Sequence, residues 1–327
     1  MGIRKLNSVL SSHNALLEYK NIFEYRKKHN KKKKMVIGID FMLYAFKFKI
    51  SLDNILIGFI NQILQLLSND IIPVYIIDGY ADDTKREVIN KRNSRRDKIT
   101  NEIDDIKLQL NNLTDNSEKK ILEQKVEKMS KLNKKVDSKD ISIIINLFKL
   151  LNINYIRAKG EADILLTYLF KNNTIDTCLS EDMDLIVYGC KSMIKISKKT
   201  VIEYNLNKIL DRLELKYEEF IELCILLGCD YLNSILRCKP SVIYDEYVKF
   251  KDKFIENNEF SEEYIAKFYE TKNNFINSHK EYKNIDIEIT NNKIEYDDLN
   301  DFINKNCKTY KNYNLENIIK KINSKII

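Results

Sequence analysis

The sequence predicts an α/β fold, with a mainly parallel central sheet flanked by helices, a projecting helical pair and a helical C-terminal region. Three observations lead there. Two apolar, β-branched runs, Met35–Asp40 and Ile71–Asp78, each end abruptly in an aspartate, and their unbroken hydrophobicity is that of strands buried on both faces. Between them Leu52, Ile55, Leu56, Phe59, Ile60, Ile63 and Leu67 recur at helical spacing, so the three segments make a βαβ unit with parallel strands. From Thr84 to about Val136 the chain turns to long, highly charged helical sequence with a sparse apolar stripe through Leu122, Val126, Met129, Leu132 and Val136.

Taken in order, the basic run Arg26–Lys34 precedes the first strand and reads as a solvated loop, a nuclear-import signal or a phosphate-contacting patch. The crossover helix is expected over Ser51–Leu67, with Ser51 as its cap. In open parallel sheets ligands gather at the carboxyl ends of the strands, where Asp40 and Asp78 stand. The charged stretch opens with Lys85, Arg86, Lys91, Arg92, Arg95, Arg96 and Lys98 against Glu87 and Asp97. On a helix, Lys85 and Arg92 lie about two turns apart and share one face. Beyond it come a helix around Ile141–Leu151, a short strand Asn154–Ile156 and a helix beginning near Gly160–Asp163. A strand Asp176–Leu179 then empties into Ser180–Asp184, and an amphipathic helix Tyr217–Leu227 closes with Gly228, Cys229 and Asp230. The remainder reads as polar helix with one β-like stretch, Asp286–Thr290. No repeat and no Gly-, Ser- or Pro-rich linker interrupts this. The 327 residues are therefore expected to form one domain: an α/β part (1–80), a basic helical segment (81–140), a second α/β part with the acids (141–232) and a helical hairpin and C-terminal region (233–327).

Composition narrows the function. Only two prolines and seven glycines favour long helices over tight turns, and 44% hydrophobic residues suffice to offset the entropy of ordering the chain. A net charge of +7 suits a polyanionic partner without requiring one. The six cysteines lack the paired spacing of a zinc site, which leaves reduced thiols as the simple expectation. No signal peptide or bilayer-length apolar segment is recognised, so no membrane role is expected. None of the three histidines neighbours the acids in sequence, which disfavours a histidine-based hydrolase.

Seven acids, Asp40, Asp78, Glu161, Asp163, Asp182, Asp184 and Asp230, lie at the ends of elements that read as buried. Singly, an aspartate after a strand is usually a turn former or a helix cap. Jointly, buried and converging carboxylates repel one another and call for a cation among them. Hard oxygen ligands from several directions suit Mg²⁺, with Mn²⁺ as a substitute, rather than softer metals. Two such ions serve phosphodiester hydrolysis, with the basic stretch at Lys85 neutralising the phosphate.

Residues Met1–Ile3, Ile39–Asp40, Pro73–Gly79, Ala158–Asp163, Ser180–Asp184 and Leu227–Tyr231, in that order, resemble the flap endonuclease (XPG-type) family. The likeness runs from the first residue to roughly Ile322 and is fainter past Tyr231, where Asp297–Phe302 looks similar to the end of the family's core. It implies a twisted, PIN-like nuclease sheet, a helical arch that admits single-stranded 5′ DNA, and a base that grips duplex. It also implies a monomeric, structure-specific, Mg²⁺-dependent 5′ flap endonuclease and 5′–3′ exonuclease acting on branched DNA in replication, recombination or repair. By position the seven acids become metal ligands, two ions being held. Lys85 and Arg92 become the catalytic arch cations, and Arg95 and Arg96 further DNA contacts. Phe46 falls where the family places a base-stacking tyrosine, with Tyr44 a nearby alternative, and Gly2 lines the same site. Glu161-Ala-Asp163 departs from the usual Glu-x-Glu. Arg237 and Lys239 stand where glycines of a duplex- and potassium-binding hairpin are expected, and read either as direct phosphate contacts or as plain surface charges. The tail that binds a sliding clamp is not seen. Such an enzyme belongs inside the cell, in the nucleus or, for a large DNA virus, in the host cytoplasm. The alternatives are a catalytically impaired DNA-binding scaffold of the same fold, or a related junction resolvase or RNA 5′ exonuclease.

Overall fold

In the computed structural model the two apolar runs become neighbouring strands in a seven-stranded sheet; the residues described are 2–3, 5–29, 34–52, 54–79, 86–113, 116–197, 200–234, 236–283, 285, 287, 293–307 and 314–324. The strands are β1 (Leu17–Tyr19), β2 (Met35–Asp40), β3 (Ile71–Ile77), β4 (Asn154–Arg157), β5 (Thr177–Leu179), β6 (Ser192–Ile196) and β7 (Val201–Asn205). Their order is β1-β7-β6-β5-β2-β3-β4. β2 pairs in parallel with β3, Met35 opposite Ile71 and Asp40 opposite Ile76, and on its other side with β5. β4 and β6 extend the parallel set, while β7 and β1 add an antiparallel margin.

Alternation along the strands splits the core into two layers. Val74 and Ile76 point into one cluster with Leu165, Leu166, Leu169 and Leu223, whereas Tyr75 and Ile77 point into the other with Phe59, Phe148 and Ile63. Every residue of β3 is buried, as a strand covered on both faces requires. In the second layer the rings of Tyr75 and Phe148 stack at 4.4 Å, and truncating one such ring to alanine typically costs about 3–5 kcal/mol. The helix Leu315–Asn323 packs against the helix Ile55–Ser68, so the last described helix supports the first βαβ unit.

The crossover differs from expectation. It holds two helices, Phe41–Ser51 and Ile55–Ser68, and Ser51 ends the first rather than capping the second. Asn54 is the cap, its side chain accepting from Leu56 N at 2.9 Å. Asp40 starts the earlier helix by accepting from Leu43 N at 3.0 Å. Strands β1, β6 and β7 were not expected either; β6 and β7 are short and carry Lys195 and Glu203 among their apolar residues.

The charged segment forms the helices Arg86–Asn112 and Asn116–Leu132, which pack together through buried Ile103 and Ile106, a Glu102–Lys125 ion pair of 2.9 Å and a hydrogen bond from Asn133 to Thr100. The C-terminal region contributes the helices Pro240–Phe250, Glu262–Asn277 and Tyr296–Asn306. The β-like stretch Asp286–Thr290 falls largely outside the described residues. Among those described, no helix is long and apolar enough to cross a membrane.

Candidate active site

Because β2, β3, β4 and β5 run parallel, their carboxyl ends share one edge of the sheet. The chain leaves β2 for β3 and β4 on one side, then crosses to β5 on the other, which makes the β2/β5 boundary a topological switch point and the expected ligand crevice. Asp40 ends β2, Asp78 follows β3, Glu161 and Asp163 open the helix after β4, and Asp182 and Asp184 follow β5.

Local hydrogen bonds aim these side chains. Asp78 Oδ1 accepts from Ala162 N at 2.8 Å, capping the helix Ala162–Lys171 in place of Glu161, which stands at the N-cap position without a side-chain cap bond. The bond needs β3 and the loop before Glu161 in close contact: Gly79 N donates to Gly160 O at 2.8 Å, and a Cβ on Gly79 would run into the Ala158 and Lys159 carbonyl groups. Beyond β5, Ser180 Oγ accepts from Asp182 N at 3.1 Å and Asp182 Oδ1 from Asp184 N at 3.2 Å, a tight turn that leaves both aspartates almost fully buried. Glu181, just before Asp182 in sequence, turns away to ion pairs with Lys47 and Lys195.

The electrostatics tie Asp40, Asp78, Asp163, Asp182 and Asp184 into one group. Burial, and next the charge of Asp78, push the Asp40 carboxyl up to about 7, with Asp182 adding to the effect. Burial likewise lifts Asp163 well above the usual carboxylate range, followed by Asp182, Asp40, Asp184 and Asp78. Asp163 Oδ1 is shielded from solvent and, among the described residues, accepts no hydrogen bond. Asp230 follows the helix Tyr217–Leu227 two residues past Gly228, which turns at φ 97°; burial, with Asp184 and Asp230 adding, raises the intervening Cys229 thiol to about 11. Glu161 accepts from Tyr231 Oη at 3.1 and 3.3 Å, and both Glu161 and Asp184 raise Tyr188, after burial and Tyr231.

Gly2 closes the pocket. Its φ of +78° favours glycine, and a Cβ there would strike Asp182 Oδ1 and lie 2.7 Å from Asp184 Oδ1. Among the described residues, no three His, Cys, Asp or Glu side chains already close round one point as a ligand set. The acids form a rim instead. That suits Mg²⁺, which keeps several waters and takes only one or two carboxylates directly. The orphan Asp163 oxygen, the all-oxygen donor set and the mutual repulsion of the carboxylates fit a hard divalent cation.

Other predicted residues divide. Lys85 lies outside the described residues, and Arg92 falls within the helix Arg86–Asn112, its side chain likewise undescribed. Arg95 is exposed and Arg96 half-buried on the same helix, while Arg237 and Lys239 are exposed just before the helix Pro240–Phe250. Tyr44 is buried in the core, and among the described residues its hydroxyl has no hydrogen-bond partner, so its ring is not offered to a base. Phe46, half-buried at the edge of the same cluster, is the more accessible aromatic. Tyr231 and Tyr188 carry no role in the sequence reading; the available signal was a tyrosine directly after Asp230, next to a predicted ligand.

Two family models match the chain: the XPG N-terminal domain over residues 1–99 and the XPG I-region over residues 152–230. Flap endonuclease 1 of Enterocytozoon bieneusi is 30% identical over 245 residues, covering 70% of this chain and 65% of that protein. Flap endonuclease 1-A of Sorghum bicolor is 35% identical over 184 residues, covering 54% and 46%. The chain thus spans about half to two thirds of the length of these relatives. Among solved structures, the catalytic core of Rad2 in complex with DNA substrate superposes with a TM-score of 0.68 at 18% identity, covering 98% of this chain and 100% of that one. Flap endonuclease-1 from Methanococcus jannaschii gives 0.65 at 19%, covering 95% and 96%. At such identities these likenesses speak for the fold, a mainly parallel nuclease sheet flanked by helices.

Proposed function

We propose, from the premise that this chain belongs to the XPG family, that it is a structure-specific, divalent-metal-dependent 5′ nuclease that hydrolyses phosphodiester bonds of flapped or branched DNA. One observation carries the reading. Asp40, Asp78, Asp163, Asp182 and Asp184, which follow the ends of β2, β3, β4 and β5, lie close enough for their charges to add to burial in raising Asp40 and Asp163, an arrangement that bound cations would neutralise. Asp40, Asp78, Glu161, Asp163, Asp182, Asp184 and Asp230 would hold Mg²⁺ or Mn²⁺, two ions being the complement that suits so many acids. When bound, such ions supply Lewis-acid activation of water and neutralisation of the phosphate.

The chain's own residues do the rest. The acids fix where a phosphate can sit, because bare phosphate is repelled from the rim. Gly2 leaves room beside Asp182 and Asp184 that any side chain would fill. Lys85 and Arg92, at the start of the basic helical pair, would meet the scissile phosphate as charge builds up on it. The helical pair itself would admit the single-stranded 5′ end. Arg95 and Arg96, and Arg237 and Lys239 ahead of the helix Pro240–Phe250, would contact phosphates elsewhere on the strand and duplex. Phe46 offers a partly exposed ring for base stacking. Such an enzyme works where cellular or viral DNA is replicated or repaired.

The test is cleavage of labelled 5′-flap, nicked, gapped, four-way-junction and RNA substrates in Mg²⁺ and in Mn²⁺. Cutting near the flap junction, abolished by Asp182→Ala while DNA binding persists, is the expected result. Wild-type protein that leaves all of these substrates intact in both metals overturns the proposal.

A further inference from the structure

A chain of phenols ends on Glu161. Tyr231 Oη lies 3.1 and 3.3 Å from the two carboxylate oxygens, and Tyr188 Oη lies 2.6 Å from Tyr231 Oη. An ionised carboxylate only accepts and a phenol has one proton to give, so the direction is fixed: Tyr188 donates to Tyr231, which donates to Glu161. Tyr188 is 1% exposed, deep in the core. Both rings rest on Phe275 of the helix Glu262–Asn277, Tyr188 at 5.0 Å and Tyr231 edge-on at 5.5 Å. Meanwhile Asp78 does the capping that Glu161, by position, would do.

We propose that Tyr231 is a positioning residue, held by Tyr188 and Phe275, that fixes the Glu161 carboxylate for a divalent cation. This rests on reading the acid rim as a metal site. Carboxylate ligands are commonly oriented by a second hydrogen-bonding partner, and loss of that partner typically costs 10–100-fold in metal affinity. Glu161 sits at a helix start on a rotatable arm, half-exposed, where such a partner matters most. The relay also joins the rim to a C-terminal helix, so the ligand's orientation depends on the packing of a region distant in sequence.

Metal-free protein titrated calorimetrically with Mn²⁺ provides the test, using wild type, Tyr231→Phe, Tyr188→Phe, Glu161→Ala and the Tyr231→Phe/Glu161→Ala pair. Phenylalanine keeps the ring on Phe275 and removes only the hydroxyl. Tyr231→Phe is expected to weaken uptake about 10-fold with the chelated protein's unfolding temperature unchanged. Tyr188→Phe should show a smaller loss in the same direction, and stands in should Tyr231→Phe not fold. Tyr231→Phe should add nothing in the Glu161→Ala background. In flap cleavage, the Tyr231→Phe defect should vanish at saturating Mg²⁺, which a general loss of structure would not allow. Wild-type affinity in Tyr231→Phe, or a full additional loss in the double variant, overturns the inference while leaving the metal site standing. No uptake by wild type removes the site and the inference together.

Discussion

Two carboxylates buried on the same sheet, Asp40 on β2 and Glu203 on β7, meet opposite fates. Burial pushes both up. Glu203, 1% exposed, nevertheless ends below its usual range, because His29 Nε2 at 3.1 Å and the Tyr19 hydroxyl at 2.7 Å bond to it and the His29 charge offsets its own. Asp40 accepts from the Leu43 and Met42 backbone but has other acids for neighbours, and rises to about 7. Burial of an acid is therefore no sign of function by itself. What distinguishes Asp40 and Asp163 is burial beside other acids, whose charges add to the cost of burial instead of offsetting it as His29 does for Glu203.

The sharpest way to break this comparison is to neutralise each kind of acid and follow activity and stability separately. Asp163→Asn should lower flap cleavage by about 1,000-fold or more, while the unfolding temperature of the chelated protein holds or rises. A cleavage loss accompanied by a matching loss of stability would place Asp163 among the structural acids.

Next in size is Asp40→Asn, expected to stabilise the metal-free protein at neutral pH by about 1–4 kcal/mol, read from denaturant melts. The sign follows from linkage. A carboxyl raised from 3.8 to about 7 holds more protons folded than unfolded across that window, so wild-type stability in chelator should fall as pH rises through it. The variant should show a flatter profile, and Mg²⁺ should stabilise wild type more at pH 8 than at pH 5. A wild-type profile that is flat or rising between those limits would contradict the account.

Glu203→Gln should do the reverse, destabilising by about 1–3 kcal/mol and leaving the cleavage rate per folded molecule intact. Its carboxylate is depressed, so its contribution is present above the unfolded value near 4.5 and is lost as pH falls through the folded one. The smallest effect is reserved for Tyr19→Phe, about 1 kcal/mol, since His29 remains bonded to Glu203.

This contrast also marks what the sequence could and could not disclose. β2 and β3 were legible because strands buried on both faces are written as unbroken apolar runs, and the placement of Asp40 and Asp78 at the sheet's carboxyl edge because they end those runs. The helix Phe41–Ser51 was not, because Phe41, Tyr44, Ala45, Phe46 and Phe48 give it almost no polar face from which to read a period. Its boundary with the next helix turns on one side-chain cap, Asn54, where Ser51 looked equally able. β6 and β7 are five residues each with charges inside them, too short for alternation to outweigh the mixture. Glu203 reads as an ordinary strand glutamate, because Tyr19 and His29 reach it only once β1 and β7 have paired. Tyr231, by contrast, was adjacent to a predicted ligand, yet adjacency says nothing of a hydroxyl's target 70 residues away.

The rim draws on β2, β3, β4 and β5 together, and no one stretch of chain owns it. Such a pocket has no partial version. A fragment that ends before Thr177 could align three of these strands and still lack Asp182 and Asp184. Long-range parallel pairing is slow to form. During refolding from denaturant, the ability to cut flapped DNA should consequently return with the last structural phase and never ahead of it.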